Sequence, residues 1–467
     1  MLFTDHFFLL YFFPIFFIFY YFFRKSLLFS DIVLIIFSLL FYASFGINNL
    51  AILIIPLFVD FFAGIYLQKQ KSKRKRKIIL TLLIIGNLLL LGYFKYAAFA
   101  IDSIVLVHKN NLLTTLTFYK NIIVPVGISF ITFQRISYAF DIYRRKIKAS
   151  NNILQYASYA LLFPHLISGP IVRYSFIQKQ LKKRKLTTLL MFDGMKYFVV
   201  GLCLKLLIAD KLFIVENALS ANLKNIHSIE AICLLFYFSF RIYLDFCGYS
   251  LIAIGLAKLM GFEFPHNFNA PYQALNITDF WRRWNITLSS WLRDYLYIPL
   301  GGNRKGKVRT YFNLIVTMLL GGLWHGASWN FVIWGLLHGS YLAVERYLSD
   351  KKITVPLPSI VKRYATFLLV TVTWLTFLFK SPGDIGMEVS KILEFNFTLP
   401  VLRTTLLMQE SLIVLAFAVV WSFFLKEEYI EKIKPNLFTT ITLALLFLVC
   451  IYNALWSAGV PFIYFQF

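Results

Sequence analysis

Long apolar runs separated by short polar or basic stretches dominate the chain from end to end. Most runs are about 17 to 25 residues long, which lets a helix with a rise of about 1.5 Å per residue cross the hydrocarbon layer. The alternation of apolar and polar residues that a membrane β-barrel needs is absent from the sequence. The pattern therefore predicts an all-α, polytopic integral membrane protein. The predicted spans are residues 7–23, 31–45, 50–67, 78–100, 126–143, 189–212, 229–247, 311–325, 330–346, 364–379, 406–425 and 437–457.

Three stretches do not fit a simple span. Residues 153–172 have basic runs on both sides and contain two prolines, which predicts a re-entrant hairpin buried against other helices. Residues 250–260 are too short to cross the bilayer and are predicted as a separate element. Residues 261–309 mix tryptophans and tyrosines with arginines, which is typical of helices at the membrane interface. We therefore expect about 11 to 12 transmembrane helices plus re-entrant and interfacial helices.

Composition excludes a water-soluble protein, because 59% of the 467 residues are hydrophobic and only 15% are charged. The four cysteines lie in apolar segments without metal-ligand spacing, so we expect no metal site and interpret them as buried free thiols, with a disulfide as the alternative. There is no internal repeat and no low-complexity linker. We predict one membrane domain over residues 1–467, with N-terminal helices at 1–150, a catalytic core at 151–350, and C-terminal helices with a tail at 351–467.

The net charge of +25 is explained by basic runs that border apolar segments. These runs lie at residues 69–77, 144–148, 179–185 and 304–309. Such placement is typical of cytoplasmic loops and attracts anionic lipid headgroups, so nucleic acid is not expected as a partner. With the basic loops in the cytoplasm, the predicted spans put both termini outside. The first run lacks a basic n-region and a small-residue cleavage site, so it is not predicted to be a cleaved signal.

Two histidines in the most hydrophobic part of the core are the first functional candidates, because ionisable groups in a membrane span are costly. A helix that starts near Tyr311 places His325 roughly 21 Å further in, past the middle of a ~30 Å hydrocarbon layer. A group at that depth is reached only through a tunnel. His338 follows thirteen residues later. That spacing lacks the i, i+4 geometry of a zinc motif, so His338 is interpreted as a packing residue or a support for the site.

The stretches "FWRRW", "WLRDYLYIPLGGNR" and "GGLWHGASWNFVIWGLLHG" resemble the membrane-bound O-acyltransferase family. They look like its bacterial subgroup that supplies acyl groups to envelope polysaccharides, such as peptidoglycan and alginate. "LLFPHLISGPIVRY" and the opening and closing segments are similar too, so the resemblance runs from end to end. It implies that His325 of "WHG" is catalytic, that acetyl-CoA is the donor, and that a periplasmic SGNH-type O-acetyltransferase is the partner. It also implies the bacterial inner membrane.

Asn285 departs from the subgroup, in which "FWRRWH" is expected where this chain has "FWRRWN". Other branches of the family resemble the pairing of an asparagine with the histidine. An amide can hold a thioester carbonyl or orient an imidazole, so Asn285 is either a catalytic helper or a plain interface residue. Trp324 is a candidate support beside His325.

Arg282, Arg283 and Arg293 have two interpretations. They form either a solvated cytoplasmic face or a set of guanidinium groups that binds the phosphates of coenzyme A. Asp294 is expected to pair with a neighbouring arginine rather than to act as a base.

The apolar segment "PFIYFQF" at the end of the chain is either an aromatic anchor at the interface or a carrier of the acyl group. It resembles the terminal motif of a small partner protein in teichoic acid D-alanylation, whose tyrosine is proposed to carry the acyl group. That resemblance makes Tyr464 a candidate nucleophile on the outer side.

The sequence thus predicts a membrane O-acetyltransferase for an envelope polysaccharide, with peptidoglycan first and alginate or another exopolysaccharide as the alternative. No Gly-x-Ser-x-Gly loop occurs, which favours a separate enzyme for the final transfer. Two other hypotheses stay open. One is acyl transfer to a lipid or sterol. The other is a transporter, which predicts inverted repeats that the sequence lacks.

Overall fold

A computed structural model describes residues 1–108, 122–167, 169–354, 356–401, 409–456 and 459–465. Within these ranges the chain is helical and contains no β-strand, which confirms the all-α prediction. The α-helices are α1 Phe13–Phe22, α2 Leu27–Ala43, α3 Asn49–Lys69, α4 Lys73–Leu91, α5 Ala97–His108, α6 Ile128–Tyr143, α7 Ile153–Ala160, α8 Phe163–Leu166, α9 Tyr174–Lys182, α10 Thr188–Leu202, α11 Asp210–Ala221, α12 Ser228–Leu259, α13 Ile277–Arg283, α14 Ile286–Leu292, α15 Lys307–His325, α16 Trp329–Asp350, α17 Ser359–Thr373, α18 Leu375–Leu378, α19 Pro382–Leu393, α20 Gln409–Phe424, α21 Glu428–Glu431 and α22 Leu437–Trp456.

Five described helical segments are long and apolar enough to cross a membrane by length and composition. They are residues 49–69, 73–105, 228–259, 359–378 and 437–456. Three shorter apolar helices lie at residues 8–22, 27–43 and 412–424. The membrane-protein class is thus confirmed, while the full count of about 11 to 12 spans stays a prediction.

The chain forms two compact units. The first unit comprises residues 1–191 and 256–265. In it, the stretch predicted as a re-entrant hairpin contains the two short helices α7 (Ile153–Ala160) and α8 (Phe163–Leu166). His165 lies buried in this segment, with Nδ1 3.1 Å from Gln134 Nε2 and Nε2 2.8 Å from the Tyr159 carbonyl oxygen. Both helices are too short to cross a bilayer. This agrees with the prediction of a hairpin that does not span the membrane.

The second unit comprises residues 192–255 and 266–467 and contains every candidate site residue. Here one sequence prediction is wrong, because residues 250–260 are not separate from the run at 229–247. The single helix α12 continues through both to Leu259. Gly248 does not break this helix. A Cβ atom on Gly248 would lie 2.8 Å from the Gly201 carbonyl oxygen, so this glycine serves the close packing of α10 against α12.

Candidate active site

The helices α15 and α16 form a tight hairpin that positions His325 at its turn. His325 ends α15, and the Ser328 side chain caps α16 by accepting a hydrogen bond from the Asn330 N–H at 3.3 Å. The two helices touch at glycines. A Cβ on Gly322 would lie 2.1 Å from the Phe331 carbonyl oxygen, and one on Gly335 would lie 2.5 Å from the Met318 carbonyl oxygen. The glycines in this sequence therefore let the backbones of α15 and α16 come into contact on both sides of the turn.

Aromatic rings surround the imidazole of His325, and this residue is only 5% exposed. Trp324 and Trp334 each pack edge-on against it with ring centroids 5.0 Å away, and Phe377 packs at 5.3 Å. Trp324 thus lies where the sequence predicted a support for the site. Trp334 and Phe377 were missed, because nothing in their local sequence distinguishes them from other core aromatics.

The fourth ring on His325 belongs to Tyr464, at a centroid distance of 5.6 Å and an interplanar angle of 47°. The structure therefore brings together two of the three predicted catalytic residues. The segment that carries Tyr464 is an interior element, since Phe462 and Ile463 are fully buried. Burial raises the pKa of the Tyr464 phenol above its usual value, so this hydroxyl needs a base before it can act as a nucleophile.

His338 occupies a structural position with both ring nitrogens engaged. The Trp281 indole N–H donates to Nδ1 at 3.3 Å, and Nε2 lies 3.0 Å from the Thr373 hydroxyl oxygen. That hydroxyl donates to the Val370 carbonyl at 2.6 Å, so it accepts a hydrogen bond from Nε2–H. His338 is fixed as a neutral tautomer that holds Trp281 in place, in keeping with the interpretation as a packing residue.

Asn285 is buried and adopts a left-handed backbone conformation with φ 43° and ψ 54°. Its carbonyl oxygen accepts the first hydrogen bond of α14, from the Ser289 N–H at 2.9 Å. Its amide nitrogen Nδ2 has no hydrogen-bond partner within the ranges that the structure describes. A buried amide donor left open in this way can bind a substrate oxygen. It makes no hydrogen bond to His325, so the structure does not pair these two residues directly.

A cavity of about 1270 Å³ lies between the interfacial helices and the histidine hairpin. Two of the three predicted phosphate-binding arginines, Arg282 and Arg293, line it, and Arg346 and Lys352 add positive charge. Asp279 and Glu345 also line the cavity, so its lining carries four cationic and two acidic side chains, and Arg346 pairs with Asp350 at 3.1 Å. Arg283 does not line this cavity. Its guanidinium binds the Asp279 carboxylate at 2.9 Å within α13.

Asp294 pairs with Arg293 as the sequence predicted, through distances of 2.7 and 3.3 Å from the guanidinium nitrogens to its two carboxylate oxygens. The Arg293 side chain is nevertheless 63% exposed, so the guanidinium stays accessible to solvent.

The cavity stops short of His325. Trp281 forms part of its wall and packs edge-on against Trp334 at 5.5 Å, and Trp334 in turn contacts His325. Two indole rings therefore lie between the basic cavity and the imidazole. Among the described residues, no group of three His, Cys, Asp or Glu side chains could hold a metal ion.

Known proteins resemble this chain over most of its length. The profile of MBOAT, the membrane-bound O-acyltransferase family, matches residues 34–379. A probable alginate O-acetylase of Pseudomonas syringae pv. tomato is 38% identical, over 87% of this chain and 79% of the relative. A peptidoglycan O-acetyltransferase of Helicobacter pylori is 35% identical, over 76% of this chain and 72% of the relative. A teichoic acid D-alanyltransferase of Bacillus subtilis is 30% identical, over 54% of this chain and 67% of the relative.

These matches set aside the transporter hypothesis, because the family profile covers the histidine hairpin as well as the interfacial helices. They also agree with the apolar helices of the fold, and they imply an acyl donor as one substrate. The chain belongs to the membrane-bound O-acyltransferase family and is a membrane-embedded acyltransferase.

Proposed function

We propose that this enzyme transfers an acetyl group from cytosolic acetyl-CoA to Tyr464, from which it passes to a polysaccharide of the cell envelope. The observation that carries the proposal is the ring contact between Tyr464 and His325 at 5.6 Å. A phenol and an imidazole that meet in a buried site form the nucleophile and base pair of a covalent transfer.

The chemistry balances with these two residues. The Tyr464 oxygen attacks the thioester carbonyl carbon, a C–O ester bond forms, and the C–S bond breaks. His325 takes the phenol proton and returns it to the leaving thiolate, so the products are an acetyl ester on Tyr464 and the thiol of coenzyme A. The Asn285 amide N–H stabilises the oxyanion that develops on the carbonyl oxygen.

The basic cavity is the donor site in this proposal. Arg282 and Arg293 supply planar donors for phosphate oxygens, and Arg346 and Lys352 add charge beside them. Because Arg283 is engaged with Asp279, we assign it to the stability of α13 rather than to phosphate binding. In this proposal the thioester end must pass the indole rings of Trp281 and Trp334, which lie between the cavity and His325.

The acceptor is a polysaccharide outside the bacterial inner membrane. Peptidoglycan and alginate are the two candidates, and both are supported by the names of relatives at 35% and 38% identity. In this proposal both termini lie outside, where Tyr464 hands the acetyl group to a periplasmic SGNH-type O-acetyltransferase. Acyl transfer to a lipid or sterol is the outcome that a labelling experiment would reveal instead.

Purified protein incubated with acetyl-CoA labelled in the acetyl group tests the first transfer. We expect stoichiometric label on the wild-type protein as an ester that neutral hydroxylamine releases. The variants His325→Ala and Tyr464→Phe should lose it. Label retained in Tyr464→Phe would show that another residue accepts the acetyl group. Full labelling of His325→Ala would show that His325 is not the base. Label in extracted lipid would favour the lipid alternative.

The acceptor is tested in the host cell. Deletion of the gene should lower ester-linked acetate either in purified peptidoglycan or in secreted exopolysaccharide, and the wild-type gene but not the Tyr464→Phe variant should restore it. Unchanged ester content in both polymers would refute the envelope acceptor.

A further inference from the structure

Two buried charged side chains bind the backbone of the segment that carries Tyr464. The Asp245 carboxylate oxygen Oδ2 accepts a hydrogen bond from the Ile463 N–H at 2.8 Å. The Lys205 ammonium donates to the Val460 carbonyl oxygen at 3.2 Å. Both charged residues are 1% exposed. The backbone is therefore held at Val460 and at Ile463, the residue directly before Tyr464.

The charges are balanced by one another and not by solvent. Lys205 Nζ lies 2.8 Å from Asp245 Oδ1 and 2.6 Å from Asp210 Oδ1. The Lys205 ammonium thus contacts both carboxylates, and the Ile463 N–H donates to one of them. A buried ion cluster seldom improves stability over apolar side chains of the same volume. Stability alone therefore does not explain this cluster. The cluster binds the backbone of the segment that carries Tyr464, which suggests a role in holding that segment.

The same part of α12 also packs its aromatic side chains against those of the segment that carries Tyr464. Asp245 is followed by Phe246, whose ring is 4.6 Å from Tyr464, and Tyr249 stacks on Phe462 at 4.3 Å. Lys205 reaches the cluster from the π-helical turn Cys203–Ala209, next to the close contact of Gly201 with Gly248. About one turn of α12 thus supplies both a backbone hydrogen bond and the ring contacts that direct Tyr464 towards His325.

We propose that Lys205, Asp210 and Asp245 form a positioning cluster that docks residues 460–464 and so sets the rate of acyl transfer at Tyr464. This inference rests on the proposed role of Tyr464 as the acyl acceptor. The three residues are positioning residues, since they contact the segment's backbone or one another. Because docking fixes the nucleophile rather than the donor, loss of the cluster lowers kcat and leaves KM for acetyl-CoA unchanged.

Two variants remove the docking in different ways. Lys205→Met keeps most of the length of the side chain but removes its charge and its donor. Ile463→Pro removes the N–H that donates to Asp245, together with the buried isoleucine side chain, and leaves the three charged residues of the cluster unchanged. Position 463 is the first residue of a 3₁₀ turn, where proline is well tolerated. The second variant keeps the test valid if the first fails to fold.

Lys196→Met is the matched control. Lys196 is 1% exposed like Lys205, its Nζ lies 2.7 Å from Asp193 Oδ1, and it donates to the Ile433 carbonyl oxygen at 3.2 Å. The same substitution therefore removes a buried ammonium that binds a carboxylate and a backbone carbonyl. None of the contacts that the structure describes for Lys196 involves residues 460–464 or the cluster, so docking should be unaffected.

Docking is measured without acyl transfer by the rate at which a short bifunctional thiol reagent links His325→Cys to Tyr464→Cys, in a background whose four native cysteines are replaced by alanine. Lys205→Met and Ile463→Pro should each slow cross-linking at least tenfold, and Lys196→Met should stay within twofold. In chains with His325 and Tyr464 restored, the same two variants should lower the labelling rate at saturating acetyl-CoA at least tenfold.

The outcomes separate the two hypotheses. Cross-linking unchanged in both variants, or slowed equally by Lys196→Met, would overturn the docking cluster even if Tyr464→Phe abolishes labelling. Slower cross-linking with an unchanged labelling rate would show that the cluster docks the segment but does not set the rate of transfer, whereas labelling retained in Tyr464→Phe would remove Tyr464 as the acceptor.

Discussion

His325 and His338 show how one residue type takes two roles within a single helical hairpin. Both nitrogens of His338 are engaged, by the Trp281 indole and the Thr373 hydroxyl, so protonation would break a buried hydrogen bond. His325 instead packs among rings, one of which carries a hydroxyl. The ring contact with Tyr464, and not the depth of the residue, therefore distinguishes the candidate base from the structural histidine.

Asn285 offers a residue-scale prediction, because its backbone and its side chain can be tested separately. Glycine adopts the left-handed conformation without cost, whereas alanine pays about 1 kcal/mol there. We expect Asn285→Gly and Asn285→Ala to lower the labelling rate by a similar factor of about 10²–10³, since both remove the amide donor. Asn285→Ala should also unfold at a lower temperature than Asn285→Gly.

The measurements are the initial rate of labelling by acetyl-CoA and the thermal midpoint of the purified protein in detergent. Wild-type rates in Asn285→Gly would show that the buried amide has no part in the transfer. Loss of activity in Asn285→Ala alone would assign the residue to backbone geometry.

At the scale of elements, the packing of α10 against α12 depends on glycine rather than on helix propensity. A Cβ on Gly201 would lie 2.6 Å from the Gly248 carbonyl oxygen and 2.7 Å from the Ile252 backbone nitrogen. We expect Gly201→Ala to destabilise the protein by about 1–3 kcal/mol through overpacking. It should also slow acyl transfer, because Lys205 and Asp245 lie on the two surfaces that would separate.

Gly86→Ala is the control for this prediction, since Gly86 also lies inside a helix but has no atom within 4 Å of the added Cβ. There alanine should be neutral or stabilising by about 0.5–1 kcal/mol, through its better helix propensity. Thermal midpoints of the two variants that do not differ in this direction would contradict the packing argument.

Apolar periodicity and length predicted most helices of the fold, because both are local properties of the chain. The end of α12 was predicted wrongly, since the role of Gly248 depends on a helix distant in sequence. In the site, His325 was identified from the sequence because an ionisable side chain is costly in a membrane-spanning segment. The same argument applied to Lys205 and Asp245 in the apolar runs at 189–212 and 229–247, but their pairing with each other and with Ile463 is a tertiary contact that one sequence does not contain.

For the molecule as a whole, the proposed function works in only one orientation across the membrane. The donor thioester is cytosolic and the polysaccharide lies outside, so the basic cavity must open inward while the acetylated Tyr464 is discharged outward. The basic run at 304–309 precedes α15 and is predicted to be cytoplasmic, whereas α19 at Pro382–Leu393 follows a span that leads outward. Lys305 and Ser390 are exposed residues in these two segments.

We therefore expect a membrane-impermeant maleimide to label Ser390→Cys in intact cells and Lys305→Cys only after the inner membrane is opened, in a background without the native cysteines. The unsubstituted background is the control for labelling at any other site. The reverse pattern would place the cavity outside, away from acetyl-CoA, and the proposed direction of transfer could not operate. Labelling of both positions in intact cells would refute the positive-inside assignment of the loop before α15, on which the inward-facing donor site depends.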